Sequence, residues 1–187
     1  MASEKEIVIG SVLKAAQLCH QVQSDMVQTD SMEKADRSPV TVADFGSQAL
    51  ICQAIGDAFP DDVIVAEEDS EALKKNPLLL ARVTDYVNQF AEASCAQVCH
   101  WIDRGNGEVS QRFWTLDPID GTKGFLRRDQ YAIALALIVD GQVRLGVLGC
   151  PNLPQRGGDS QAESGCLFVA VRSEGTHMLF LDGNASE

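Results

Sequence analysis

Asp117 and Asp120 stand three residues apart in the run Trp114-Thr-Leu-Asp-Pro-Ile-Asp-Gly-Thr-Lys-Gly-Phe125. Both are hard oxygen donors suited to a divalent cation. Pro118 fixes one φ angle between them, and the carbonyl of Ile119, held in a constrained turn, is a third candidate ligand. Gly121 lets the backbone come close to an anion. Its N–H and that of Thr122 can point into one small volume, so the stretch reads as a place to hold a metal and a phosphate side by side. Asp-Pro-x-Asp-Gly alone is a common turn composition, so the reading rests on what accompanies it.

Two further stretches carry acids. In Arg37-Ser-Pro-Val-Thr-Val-Ala-Asp44, Thr41 and Asp44 have the spacing of a helix cap, which puts Asp44 in a helix first turn, where the dipole favours a carboxylate whatever its use. Val63 to Ala66 is a short β-branched run that delivers Glu67 at its end, where a strand terminus can project a carboxylate into a cleft. Glu68 and Asp69 follow directly; alternation along a strand sends Glu68 the opposite way to Glu67. Cys95-x-x-x-Cys99 before His100 lacks a second ligand pair, so a zinc site is set aside. Gly105-Asn-Gly107 is turn chemistry, and a lone Gly-x-Gly is no phosphate loop.

In this order the three acidic stretches resemble the inositol monophosphatase-like family of magnesium-dependent phosphatases. The extension Gly121-Thr-Lys-Gly-Phe-Leu-Arg127, the following Asp129-Gln-Tyr131 and Cys150-Pro-Asn-Leu-Pro154 are similar to its 3′(2′),5′-bisphosphate nucleotidase branch. The resemblance runs from about Glu4 to Leu181 and covers the first half of the family's usual length. It implies that Glu67, Asp117, Asp120 and the Ile119 carbonyl hold two or three Mg²⁺ ions. It pairs Asp44 with Thr122 to activate water, and gives the Gly121 and Thr122 amides the phosphate. The implied reaction is hydrolysis of adenosine 3′,5′-bisphosphate to AMP and phosphate, sensitive to lithium, with sulfated adenylate or an inositol bisphosphate as further substrates. An inositol monophosphatase is the alternative within the same chemistry.

The elements that must position these groups are also legible. Ser3 and Glu6 form a capping box, and Val8, Val12, Ala15, Cys19, Val22 and Met26 recur at helical spacing, predicting a long first helix with His20 off its apolar stripe. A polar loop from Gln28 to Ser38 ends in Ser-Pro, which keeps Ser38 out of the next helix. Phe45, Ala49, Cys52, Ile55 and Phe59 then predict a second amphipathic helix ending at Pro60. A third helical pattern lies between Leu78 and Ala91, and Ile102-Asp103 reads as a helix end. Strands are expected at Val63 to Ala66, Phe113 to Leu116, Ala132 to Val139 and Val143 to Cys150, the last two joined by Asp140-Gly141 as a hairpin, and at Gly165 to Val171 and Thr176 to Leu181. The class is α+β: a mainly antiparallel sheet packed with long N-terminal helices, matching the first half of the family's layered α/β sandwich. Pro154 to Ser164 reads as a loop, and Asn184-Ala-Ser186 fits a glycosylation sequon.

Composition sets limits. The 187 residues suit one domain, 1–187, with 45% apolar and 6% aromatic residues. A net charge of −12 with no basic stripe argues against a nucleic acid polymer as partner, so a small phosphorylated substrate needs a local positive potential, which cations can supply. No apolar run is long enough for a membrane helix and the start shows no signal or transit pattern; a cytoplasmic location is expected, with the nucleus left open. Six cysteines without a Cys-x-x-Cys motif read as reduced thiols. Two departures from the nucleotidase pattern stand out. Arg128 adds bulk and charge where that branch has a small residue. No Trp-Asp follows to give the metal-binding aspartate of the family's second half, so the usual C-terminal α/β half is expected to be absent. That leaves a second expectation of a different kind: a truncated member that binds metal or nucleotide, or regulates a full-length enzyme, turning over little and self-associating through the face the second half would cover.

Overall fold

The computed structural model describes residues 3–29, 38–155 and 163–181. Most of the polar loop before Ser38, Arg37 included, the centre of the loop after Pro154 and the 184–186 sequon lie outside the described residues.

Two long helices open the chain, α1 (Glu4–Thr29) and α2 (Ser38–Ala58). The expected capping box starts α1: Ser3 N–H donates to Glu6 Oε2 at 2.8 Å and Glu6 N–H to Ser3 Oγ at 3.3 Å, so two otherwise orphaned helix-end amides are satisfied reciprocally. Val8, Val12, Ala15, Cys19 and Val22 are all buried, and His20 is exposed on the opposite side. The second helix begins earlier than expected. Ser38 is its first residue, with Pro39 next, where a missing N–H costs nothing; the conformational bias on a residue preceding proline acts weakly at a helix edge. Asp44 therefore sits in the second turn of α2 rather than the first, and a helix-capping role no longer accounts for it. The two helices meet closely at Gly46, where a Cβ would come within 2.9 Å of the Leu18 methyls.

Among the described residues the strands form one six-stranded sheet in chain order: β1 (Val63–Ala66), β2 (Arg112–Asp120), β3 (Ala132–Val139), β4 (Gln142–Pro154), β5 (Ser164–Val171) and β6 (Gly175–Phe180). The β1–β2 pair is parallel and the other four pairs are antiparallel, in keeping with the α+β reading. Parallel pairing needs a crossover, and three short helices supply it: α3 (Glu71–Lys74), α4 (Pro77–Val87) and α5 (Cys95–Asp103). The expected helix end at Ile102-Asp103 is the end of α5. Asp140 and Gly141 both have positive φ, 53° and 70°, the backbone of a tight hairpin between β3 and β4.

Helices α1 and α2 pack against β2, β3 and β4 from one side, and Trp114 is wholly buried there. The opposite face carries small residues, Ala134, Ala136, Gly146 and Ala170, beside Leu148 and Phe168, which line an open groove of about 530 Å³. At the outer edge of β1 the Gly105-Asn-Gly107 turn closes the strand: Ala66 N–H donates to Gly105 O at 2.8 Å and Gly107 N–H to Ile64 O at 2.9 Å. That turn holds an edge in place, a structural use for the motif.

Candidate active site

The parallel register places Ala66 beside Leu116, so the next residues, Glu67 and Asp117, emerge side by side at the same end of the sheet. That register is pinned at the far end of the same two strands. The Arg112 guanidinium donates through Nε and Nη2 to the two oxygens of Asp62, both at 2.8 Å, and through Nη2 to Glu4 Oε1 at 2.7 Å. Trp114 Nε1–H donates to the same Asp62 carboxylate at 2.8 Å. One carboxylate just before β1 thus grips the first residue of β2.

Asp117 and Asp120 do not lie in a free turn. They belong to the end of β2, with Asp117 opposite Ala134 and Asp120 opposite Ala132, so the strand carries one extra residue here. This bulge re-aims the side chains between them. Asp117 Oδ1 accepts from Ile119 N–H at 3.1 Å, which tightens the local turn, while the Ile119 side chain is buried in the core. Gly121 then adopts φ +93°, a left-handed conformation that only glycine enters without strain, and the chain turns directly into a short helix, α6 (Thr122–Arg127). Helix α6 is fixed from below. Gln23 of α1 donates through Nε2 to Phe125 O at 2.8 Å, and Phe125 packs edge-on to Tyr131 with ring centroids 5.0 Å apart. Thr122 and Asp120 are exposed, Asp117 half-buried.

Helix α2 ties the three acidic stretches together. Asp44 lies within reach of the charges of Glu67, Glu68 and Asp117. Ser47, wholly buried, donates through Oγ to Pro118 O at 3.3 Å, and Gln48, also wholly buried, bonds both backbone groups of Glu68. Beyond Glu68, Ser70 donates through its N–H and Oγ to Asp103 of α5 at 2.9 and 2.7 Å. The segment 67–70 is therefore held at two points from behind, leaving its carboxylates at the front. Helix α6 packs against α2, which brings the Thr122 helix toward Asp44.

The electrostatics show the acids crowding one another. Asp44 is pushed up to about 8, first by burial and then by the charges of Glu68, Glu67 and Asp117. Burial, then Glu67 and Asp120, push Asp117 up to about 6. Glu68 is raised for the same reasons, burial first and then Glu67, Asp69 and Asp117. Carboxylates that raise one another in this way are stabilised by a cation between them, and an all-oxygen donor set suits Mg²⁺ rather than a softer ion. The donor chemistry thus fits a hard divalent cation. Among the described residues no group of three or more His, Cys, Asp or Glu side chains is drawn together as a ready metal cluster, so the fit lies in donor type and mutual repulsion, not in a closed coordination shell.

The structure places Glu67, Asp117 and Asp120 at one end of the sheet and Asp44 within reach of the charges of Glu67 and Asp117, with Ile119, Gly121 and Thr122 on the connecting backbone, without closing them into one cluster. It adds Glu68, the charge that acts most strongly on Asp44, which strand alternation had directed elsewhere; β1 ends at Ala66, so alternation no longer governs the residue two places on. The sequence pointed to no role for Gln48, and to Asp103 only as a helix end. A signal existed for the first: Gln48 is a polar residue on the apolar side of an otherwise buried helix, one turn beyond Asp44. Arg128 takes a left-handed conformation, φ 59°, at the end of α6, and remains exposed.

Known proteins resemble this chain in sequence and in fold. The chain is 40% identical over 188 residues to a 3′(2′),5′-bisphosphate nucleotidase of Dictyostelium discoideum, covering 97% of this chain and 56% of that protein. It is 42% identical over 210 residues to 3′(2′),5′-bisphosphate nucleotidase 1 of Arabidopsis thaliana, covering all of this chain and 60% of the relative. It thus spans little more than half the length of these curated relatives. Among solved structures, the extragenic suppressor protein suhB of Bartonella henselae superposes with a TM-score of 0.56 at 20% identity, over 95% of this chain and 51% of that one. An inositol monophosphatase from Anabaena superposes at 0.53 with 17% identity, over 93% of this chain and 46% of that one, a likeness of fold. The description "Inositol monophosphatase family" matches residues 2–180, the stretch that contains both long helices, the whole sheet and all the acids that meet at its end, and to that family this chain belongs.

Proposed function

We propose that this chain carries the metal-binding and water-activating part of a Mg²⁺-dependent phosphate monoester hydrolase that converts adenosine 3′,5′-bisphosphate to AMP and phosphate. The observation that supports it best is the placing of Glu67, Asp117 and Asp120 at one sheet end with Asp44 in reach of the first two, in a chain about 40% identical to 3′(2′),5′-bisphosphate nucleotidases. Glu67, Asp117, Asp120 and the Ile119 carbonyl would hold two or three cations. When bound, Mg²⁺ supplies positive potential to the phosphate oxygens, which the chain's net charge of −12 does not. Asp44 and Thr122 orient the attacking water, with the Asp44 carboxylate receiving its proton. The backbone at Gly121 and Thr122 faces the phosphate. Attack is in line and no covalent phosphoenzyme forms.

Phosphate release is measured with adenosine 3′,5′-bisphosphate, an inositol bisphosphate and inositol monophosphate, with and without Mg²⁺ and Li⁺. Mg²⁺-dependent, Li⁺-inhibited release from the nucleotide, lost in Asp120→Asn, is expected. Preference for inositol monophosphate would instead select an inositol monophosphatase, and a trapped phosphorylated side chain would overturn the mechanism. Cytoplasmic action belongs to this reading; among the described residues no helix is long and apolar enough to cross a membrane.

A second reading is favoured by the lack of a ready metal cluster among the described residues. On it the chain keeps the fold, binds metal or nucleotide weakly, and regulates or pairs through the small-residue face of the sheet. Turnover of roughly 1 s⁻¹ or more, ordinary for an enzyme, would exclude it.

A further inference from the structure

We infer that Gln48 is a positioning residue for the cation site, acting through the Glu67–Glu68 peptide. The inference rests on the metal-site reading above. Gln48 is wholly buried in α2, one turn after Asp44. Its Nε2 donates to Glu68 O at 2.5 Å and its Oε1 accepts from Glu68 N–H at 3.0 Å, so one side-chain amide pairs with both backbone groups of a single residue, as a neighbouring strand would. The second Nε2 hydrogen donates to Ile102 O at 3.0 Å, at the end of α5. Three of the four hydrogen-bonding positions of the amide are thereby used, and its ring of partners admits one rotamer. Because β1 ends at Ala66, no strand pairing holds residue 68; the amide takes over that task and sets the peptide plane from which Glu67 and Glu68 project.

A separate feature supports the same seat. Gly105 closes over the amide so tightly that a Cβ there would come within 2.8 Å of Gln48 Nε2, 2.6 Å of Ala66 Cβ and 3.1 Å of Ile102 O. The backbone is kept bare where the amide lies. Outer partners that orient metal-binding groups commonly change metal affinity by about tenfold to a hundredfold when removed.

The test is Mn²⁺ binding, followed by electron paramagnetic resonance of the free ion, on the whole chain. The variants are Gln48→Leu, Gly105→Ala, which presses on the amide without removing it, and Leu145→Ala, a buried residue of β4, as a destabilised control remote from the acids. Gln48→Leu should weaken Mn²⁺ binding at least tenfold, Gly105→Ala should weaken it in the same direction, and Leu145→Ala should bind as the parent chain does. Parent-like affinity in Gln48→Leu, or equal weakening in Leu145→Ala, overturns the positioning role while the metal site stands. Should Gln48→Leu not fold, parent-like binding by Gly105→Ala overturns it and weakened binding upholds it. A parent chain that binds no Mn²⁺ overturns the metal-site reading itself, and the inference with it.

Discussion

Replacing Asp62 by Asn tests the clamp that sets the β1–β2 register. The carboxylate accepts two charge-assisted bonds from Arg112 and a third from Trp114 Nε1–H, and its side chain is only 12% exposed. A hydrogen bond to a charged group contributes about 1.5–3 kcal/mol, and Asn keeps one acceptor oxygen while turning an NH₂ toward a donor. Arg112 is 37% exposed, so solvent screens part of the loss, and the expected cost settles at about 2 kcal/mol. For a chain of this length that lowers the melting midpoint by about 4–8 °C. Urea unfolding followed by Trp fluorescence measures the difference directly. Its pH dependence is the sharper check. Burial alone would raise the Asp62 carboxyl, but the bonds from Arg112 and Trp114 and the Arg112 charge outweigh it and hold it below the usual carboxylate range. A depressed folded value means the stabilisation is fully present above the unfolded value, about 3.9, and disappears as pH falls through the lower folded one. The gap between parent and variant should stay constant from neutral pH to about 5 and close below about 4. A gap under about 0.5 kcal/mol at neutral pH, or one that persists unchanged in acid, would refute the clamp.

Gly124→Ala should destabilise the chain by about 1–3 kcal/mol in thermal unfolding, because its Cβ would collide with the Gln130 carbonyl at 1.9 Å, on backbone that cannot swing aside. Of the six free cysteines only Cys95 is exposed, so a thiol reagent should label one site quickly in the native chain and six in denaturant. Both tyrosines should stay neutral through pH 10 by ultraviolet titration. Burial and then the 2.6 Å bond to Asp25 push Tyr86 up to about 12, and burial raises Tyr131 as well. The neutral phenol of Tyr86 therefore stabilises the fold below its unfolded value, about 10, and that contribution is lost as pH rises through about 12.

Sequence alone reached most of the scaffold because its signals were local. The capping box at Ser3 and Glu6, the stripe along α1, the Val63–Ala66 strand and the Asp140-Gly141 turn each depend on a few neighbouring residues, and each is where it was expected. The misses share a cause. Ser38 joins α2 because propensity yields at a helix edge; the Asp117–Asp120 turn is a strand bulge because pairing with β3, not its own Pro and Gly, decides its form. Glu68 enters the site because Gln48 holds it there, and no local pattern in residues 63–69 encodes a bond from α2. One local signal was available and unused: Ser94 and Gln97 form a capping box that starts α5.

The bonds that bind α1 to the rest span long stretches of chain: Glu4 meets Arg112 across 108 residues, and Gln23 meets Phe125 across 102. During synthesis at about 5–20 residues per second, the first helix waits about 5–20 s for those partners to leave the ribosome. Its apolar stripe, Val8, Val12, Leu18 and Val22, has only the helices α2 and α4 to lie against in that interval, since every described strand but β1 comes after residue 111. A nascent chain halted before Arg112 would thus present a paired, half-covered helical hairpin, a natural client for chaperones that recognise exposed apolar surface. The acids of the site could meet only once the second strand had been made.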